Sequence, residues 1–229
     1  MTAITAPRPD EAGVHDGLAY ELFLPPAEPI GGVVILHGAG SSKESHRDYA
    51  GRCRQRGLAA ATFDQRGHGT STGALDGRMA ADVATIAGLL PAVPIALRGS
   101  SMGGYLALVA AREACAAAVV TICPAPASGL LMGLMDGRFS FRSDAAALGA
   151  FLEANDEHAA AAALTCPLLL LHAAGDEVVP VELSRRLAVA LGPERCRYEE
   201  IPAGDHRSIQ HDPLLQDLSI SFLRSVLER

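Results

Sequence analysis

The sequence predicts a doubly wound α/β fold, a mostly parallel sheet with helices on both faces. Beyond an N-terminal tail of some sixteen residues, short apolar runs alternate with helical patterns. Several of those runs are apolar throughout, as strands buried on both faces should be. The chain is 49% hydrophobic but only 4% aromatic, with no Trp, so its core must be built from Ala, Val, Leu and Ile. A length of 229 residues suits one domain, 1–229, with a sizeable buried core.

Taken in order, the strand candidates are residues 18–24, 32–37, 58–63, 95–99, 118–123, 168–172 and 197–201. Between them lie helices whose apolar residues recur at three and four, such as Met79, Val83, Ile86 and Leu90, or Leu183, Leu187 and Leu191. The last helix opens with Asp212 as N-cap and Pro213 in the first helical position, then carries Leu215, Leu218, Phe222 and Val226 on one stripe. Residues 128–165 break the rhythm: they hold no convincing strand and form a short cap insertion where a strand-to-helix connection belongs.

Charge and cysteine usage narrow the function classes. With 19 Lys and Arg against 26 Asp and Glu, the net charge of -7 argues against nucleic acid as a partner. No segment supplies the roughly 20 apolar residues of a membrane span, and no cationic stretch followed by a hydrophobic run opens the chain. Five cysteines without CxxC spacing fit neither a disulfide framework nor a zinc site, so they are expected as reduced thiols in a cytoplasmic protein. His46, His158 and His211 have no metal-like spacing and are expected to be exposed. No cofactor and no metal is implied.

The sharpest local signal is Gly99-Ser100-Ser101-Met102-Gly103, a G-x-S-x-G between an apolar strand and an apolar helix. That is the context of a nucleophile elbow, in which a strained turn presents the serine and glycines clear the space around it. A serine hydroxyl is a weak nucleophile at neutral pH and needs a histidine base, itself held by a carboxylate. Asp176 follows the apolar strand Leu168-Leu169-Leu170-Leu171, and His206 follows the next strand; both lie just beyond carboxyl ends, where open α/β sheets place ligands. The expected catalytic residues are therefore Ser101, Asp176 and His206. Asp205 is adjacent to the histidine and poorly placed to bond its ring, while Glu177 stays open as an alternative acid.

Acyl transfer also needs donors for the developing oxyanion. The strand ending at Leu36 runs into His37-Gly38-Ala39-Gly40, so the expected donors are the backbone amides of Ala39 and Met102. His37 is read as structural.

Three motifs together resemble the α/β-hydrolase superfamily across nearly the whole chain: His37-Gly38-Ala39-Gly40, Asp64-Gln65-Arg66-Gly67-His68-Gly69-Thr70-Ser71, and Gly99-Ser100-Ser101-Met102-Gly103-Gly104. The resemblance implies that the second is a bracing loop in which Arg66 and His68 are structural. Within the superfamily the chain looks most like compact carboxylesterases, including feruloyl-esterase-like, dienelactone-hydrolase-like and serine aminopeptidase-like members. It departs from many of them in carrying Ser100, not His, before the nucleophile.

The expected function is a serine hydrolase cleaving an ester of a small, apolar substrate through an acyl-enzyme. Thioesterase, amidase, peptidase or perhydrolase activity on the same triad is the alternative, as is a non-catalytic ligand-binding domain. The insertion carries Leu130, Met132, Met135, Phe139 and Phe141, which either roof the site or pack a helical pair onto the core.

Overall fold

The computed structural model describes residues 7–91 and 93–228. Eight strands form one sheet: β1 (Glu11–His15), β2 (Leu18–Phe23), β3 (Gly31–Leu36), β4 (Leu58–Phe63), β5 (Ile95–Ser100), β6 (Ala118–Ile122), β7 (Leu168–Ala173) and β8 (Cys196–Ile201). Their order is β1-β2-β4-β3-β5-β6-β7-β8, antiparallel for β1 with β2 and β2 with β4, parallel elsewhere. The helices are α1 (Arg47–Gln55), α2 (Met79–Ala87), α3 (Met102–Ala110), α4 (Ala127–Met135), α5 (Ala145–Ala154), α6 (Glu157–Ala162), α7 (Val181–Leu191) and α8 (Pro213–Leu227).

Alternation along the strands divides the core in two. Val34, Leu97, Val119 and Leu168 stand in register on one face and pack under α2, α3 and α7. Val33, Ala96, Ala118 and Leu169 face the other way, toward α1 and α8. Both faces of the central strands are thus covered, which explains why β3, β4 and β7 are buried along their whole length.

Two expectations need correction. Part of the N-terminal tail is strand β1, joined to β2 by Asp16-Gly17 with φ of 49° and 77°. Positive φ at both loop residues defines a type I′ hairpin, and Asp-Gly is its sequence signal. β1 lacked an apolar run because it is an exposed edge strand. The inward stripe of α8 also differs: Asp212 caps the helix through the Leu214 and Leu215 amides as expected, but Gln216, Ser219, Ile220, Leu223 and Leu227 are the buried positions. Leu215, Leu218, Phe222 and Val226 flank that stripe. Two polar residues occupy it because Gln216 bonds Asp48 and Ser219 bonds Tyr49.

Between β6 and β7 lie α4, α5 and α6, which occupy the expected insertion, and no strand. Leu130, Leu148 and Leu152 enter the core, while Met132 and Met135 are 58% and 79% exposed.

Candidate active site

The carboxyl ends of β3, β5, β6, β7 and β8 open onto one rim of the sheet. At the end of β5 the chain turns sharply into α3, and Ser101 has φ 55° and ψ -121°, a conformation strained for any residue with a side chain. Crowding explains the flanking glycines: a Cβ on Gly99 would stand 2.0 Å from the Gly103 carbonyl, and one on Gly103 2.2 Å from the Leu36 carbonyl. The Ser101 amide donates to Ile122 O at 2.9 Å, and its carbonyl accepts from Tyr105 and Ala125. Its backbone is therefore pinned to the end of β6 and to the first turn of α3. The side chain is half-buried, and its Oγ has no hydrogen-bond partner among the described residues.

Asp176 and His206 are brought together, with His206 Nδ1 2.6 Å from Asp176 Oδ2. The aspartate side chain is fully buried and that of the histidine 11% exposed. Asp176 Oδ1 accepts from the Val178 and Val179 amides, both at 2.8 Å. Burial by itself would raise the Asp176 carboxyl, but the Val179 amide and the His206 ring outweigh it and hold the group below its ordinary range. Glu177 is exposed, and Asp205 spends Oδ1 on the Arg207 and Ser208 amides of its own turn. Neither is bonded to the histidine.

Sequence reasoning passed over His172, which is fully buried at the end of β7. Its Nε2 lies 3.0 Å from Val179 O and 3.3 Å from Asp176 Oδ2, and its Nδ1 2.7 Å from Ser184 Oγ. Donation from Nε2 leaves Nδ1 to accept the Ser184 hydroxyl, so the ring is neutral; burial pushes its pKa down. The signal was a histidine closing a run of four leucines, a polar side chain the strand had to bury with partners.

The loop after β3 lies against the elbow, since a Cβ on Gly38 would come 3.3 Å from Ser101 Cβ. The Gly40 amide is taken by His68 Nε2 at 3.1 Å. By contrast the Ala39 amide meets no acceptor among the described residues, and Met102, first residue of α3, has no carbonyl one turn back in the helix. Two neutral histidines hold this loop. His37 Nδ1 donates to Gly38 O at 2.8 Å while Nε2 accepts from the Gln65 amide at 3.0 Å. Burial, with His68 nearby, lowers His37 to about 4. His68 Nδ1 donates in turn to Arg66 O. Arg66 grips Asp82 through Nε and Nη2, and Asp64 receives both the amide and the ammonium of Lys43.

Phe141 tilts over His68 with ring centroids 4.3 Å apart and stacks on Phe139 at 4.9 Å. The insertion therefore reaches the loop beside Ser101. A separate cleft of about 640 Å3 opens between α3 and α6, lined by Leu108, Ala160 and Leu164 among others, and contains none of these site residues.

Residues 27–140 match the model of the serine aminopeptidase family, S33. The mouse protein named alpha/beta hydrolase domain-containing protein 10 superimposes with a TM-score of 0.73 over 95% of this chain and 98% of its own, at 23% identity. This chain belongs to the α/β-hydrolase superfamily. Another member of the fold is Est1E from Butyrivibrio proteoclasticus, solved with ferulic acid bound, with a TM-score of 0.72, 20% identity and coverage of 96% of this chain and 100% of that one. In sequence, this α/β-hydrolase is 26% identical to the uncharacterized protein YfhR of Salmonella typhi over 98% of this chain and 82% of the relative.

Other expectations divide. No helix among the described residues is long and apolar enough to cross a membrane, and all five cysteines are unpaired. His158 and His211 have half-exposed side chains, but His46 is 2% exposed, against expectation. It is buried because Arg98 donates to its Nδ1 at 3.1 Å and His211 stacks on it at 6.2 Å.

Proposed function

We propose that this α/β-hydrolase is a serine esterase acting on a small substrate with an apolar acyl or alcohol group. Ser101 is the nucleophile, His206 the general base and Asp176 the residue that orients the base. The observation that carries this reading is the unbonded Ser101 hydroxyl on a strained elbow, at the rim that also holds the Asp176–His206 pair. Donation of Nδ1–H to Asp176 leaves Nε2 of His206 with the lone pair a base requires. His206 takes the Ser101 proton as Oγ attacks the ester carbonyl, and the Ala39 and Met102 amides hold the oxyanion. The imidazolium then protonates the leaving alcohol. Water, activated by the same ring, releases the acid from the acyl-enzyme.

Phe139 and Phe141, beside the loop that carries Ala39, favour an apolar group in the substrate. The unpaired cysteines support a reducing, cytoplasmic setting. A second reading, an aminoacyl or peptide amide as substrate, is favoured by the match of residues 27–140 to the serine aminopeptidase family. A matched panel of aryl ester, thioester and aminoacyl anilide substrates separates the two. The ester reading expects the highest kcat/KM on short-chain aryl esters, and preference for the anilide would replace it.

A further inference from the structure

Arg98 and Ser100 occupy alternate positions of β5, so both project from one face of the sheet, and both bond to the same residue. Arg98 Nη2 donates to the Gln210 carbonyl at 2.9 Å, and the Ser100 hydroxyl donates to Gln210 Oε1 at 2.6 Å. The same carbonyl receives Gln216 Nε2 at 3.1 Å. Gln210 lies four residues after His206, and Ser100 immediately precedes Ser101.

The surroundings of Arg98 indicate how much is invested in this junction. The guanidinium is 1% exposed and has no carboxylate within ion-pairing distance among the described residues. It is held by the Gln210 carbonyl, by His46 Nδ1, and by the ring of Tyr49 at 4.3 Å, while its Nε has no partner. Burying a cation without an acid to match it is costly and calls for a compensating role. The hydrogen bonds of residues 202–208 run within the segment, to the His211 amide, or to Asp176, while beyond them Ile209 is buried in the core and His211 bonds Asp48. No hydrogen bond joins Ser101 to His206 directly, so their separation is set by whatever ties elbow to loop.

We propose that Gln210 is a positioning residue that sets the reach of His206 to Ser101, held from β5 by the Ser100 hydroxyl and the Arg98 guanidinium. The proposal rests on the assignment of Ser101 and His206 made above. It also gives Ser100 a task at the position before the nucleophile: it carries the donor that latches the base loop.

The test uses the full chain as wild type, Gln210→Leu, Ser100→Ala, the double variant and Gln210→Glu. It measures the second-order rate of fluorophosphonate capture, kcat and KM on an aryl acetate, and the thermal midpoint. Loss of the latch slows capture and lowers kcat by roughly tenfold in each single variant, with KM within about twofold. The double variant is no slower than Gln210→Leu alone, because both changes break one contact. Gln210→Glu, which keeps an acceptor for the Ser100 hydroxyl, recovers most of the rate. Ser100→Ala, a deletion of one oxygen, carries the test if Gln210→Leu does not fold. Capture at the wild-type rate by a folded single variant overturns the proposal alone, as does a Gln210→Glu enzyme no better than Gln210→Leu. A wild type that is not captured at all overturns the serine assignment and the proposal with it.

Discussion

Nδ1 of His206 lies 2.6 Å from Oδ2 of Asp176 across 30 residues of sequence, and His172 Nε2 approaches the same oxygen to 3.3 Å. The other carboxylate oxygen is filled by the Val178 and Val179 amides. Asp176 is thus fixed from several directions before it meets the histidine, which selects the His206 tautomer with its proton on Nδ1.

Asp176→Asn keeps the two amide contacts but turns the group facing His206 into a donor, which favours the opposite tautomer. We expect kcat on an aryl ester to fall about 10^2- to 10^4-fold with the fold intact. Glu177→Gln should leave kcat within about twofold. Parallel assays of the two purified variants decide which carboxylate is the acid, and the reverse ranking would assign it to Glu177.

Gly99 has no room for a methyl group, which would sit 2.0 Å from the Gly103 carbonyl in the turn that carries Ser101. Gly99→Ala is expected to cost about 3 kcal/mol, the upper part of the range for overpacking, and to abolish activity in whatever folds. Urea unfolding followed by circular dichroism reads the loss. A variant as stable as the parent would show the turn to be looser than these contacts require.

Acid should weaken the fold well before carboxylates titrate. His37, His46, His68 and His172 are all shifted downward, chiefly by burial. Below about pH 6.5 the unfolded chain binds protons that these rings refuse, so stability is greatest above that value and declines as pH falls toward the folded pKa. For His37, lowered to about 4, the loss by pH 4 is about 3 kcal/mol. Urea midpoints measured from pH 7.5 to 4.5 should hold level down to about pH 6.5 and fall below it, and a flat profile across the whole window would contradict this.

Phe141→Ala removes the ring over His68, whose Nε2 holds the Gly40 amide beside Ala39. The expected result is a several-fold lower kcat/KM that grows with the apolar bulk of the ester. An equal effect on acetate and longer esters would place the substrate elsewhere.

Much of this architecture could be read from the residues because parallel strands buried on both faces must be apolar, as Leu168 to Leu171 are. The elbow was legible for a similar reason: crowding leaves Gly99 and Gly103 no substitute. What escaped was held by partners that no local pattern displays. β1 has an exposed, mixed sequence and is recognisable only by its Asp-Gly turn. His46 looks like any loop histidine until Arg98 comes within reach, and His172, at the end of an apolar strand, gives no sign of its partners Ser184 and Val179. Gln216 and Ser219 displaced the apolar stripe of α8 because Gln216 donates to Asp48 on α1 and to the Gln210 carbonyl, and Ser219 to Tyr49 on α1. A periodicity cannot register such pairings.

On the proposed mechanism, Ser101 Oγ forms the covalent bond to substrate. Mass spectrometry of the protein treated with a fluorophosphonate, followed by peptide mapping, tests it most directly. One adduct is expected, on the peptide containing Ser101, absent from a folded Ser101→Ala variant. An adduct on any other residue, or an unmodified wild type with esterase activity intact, would contradict it.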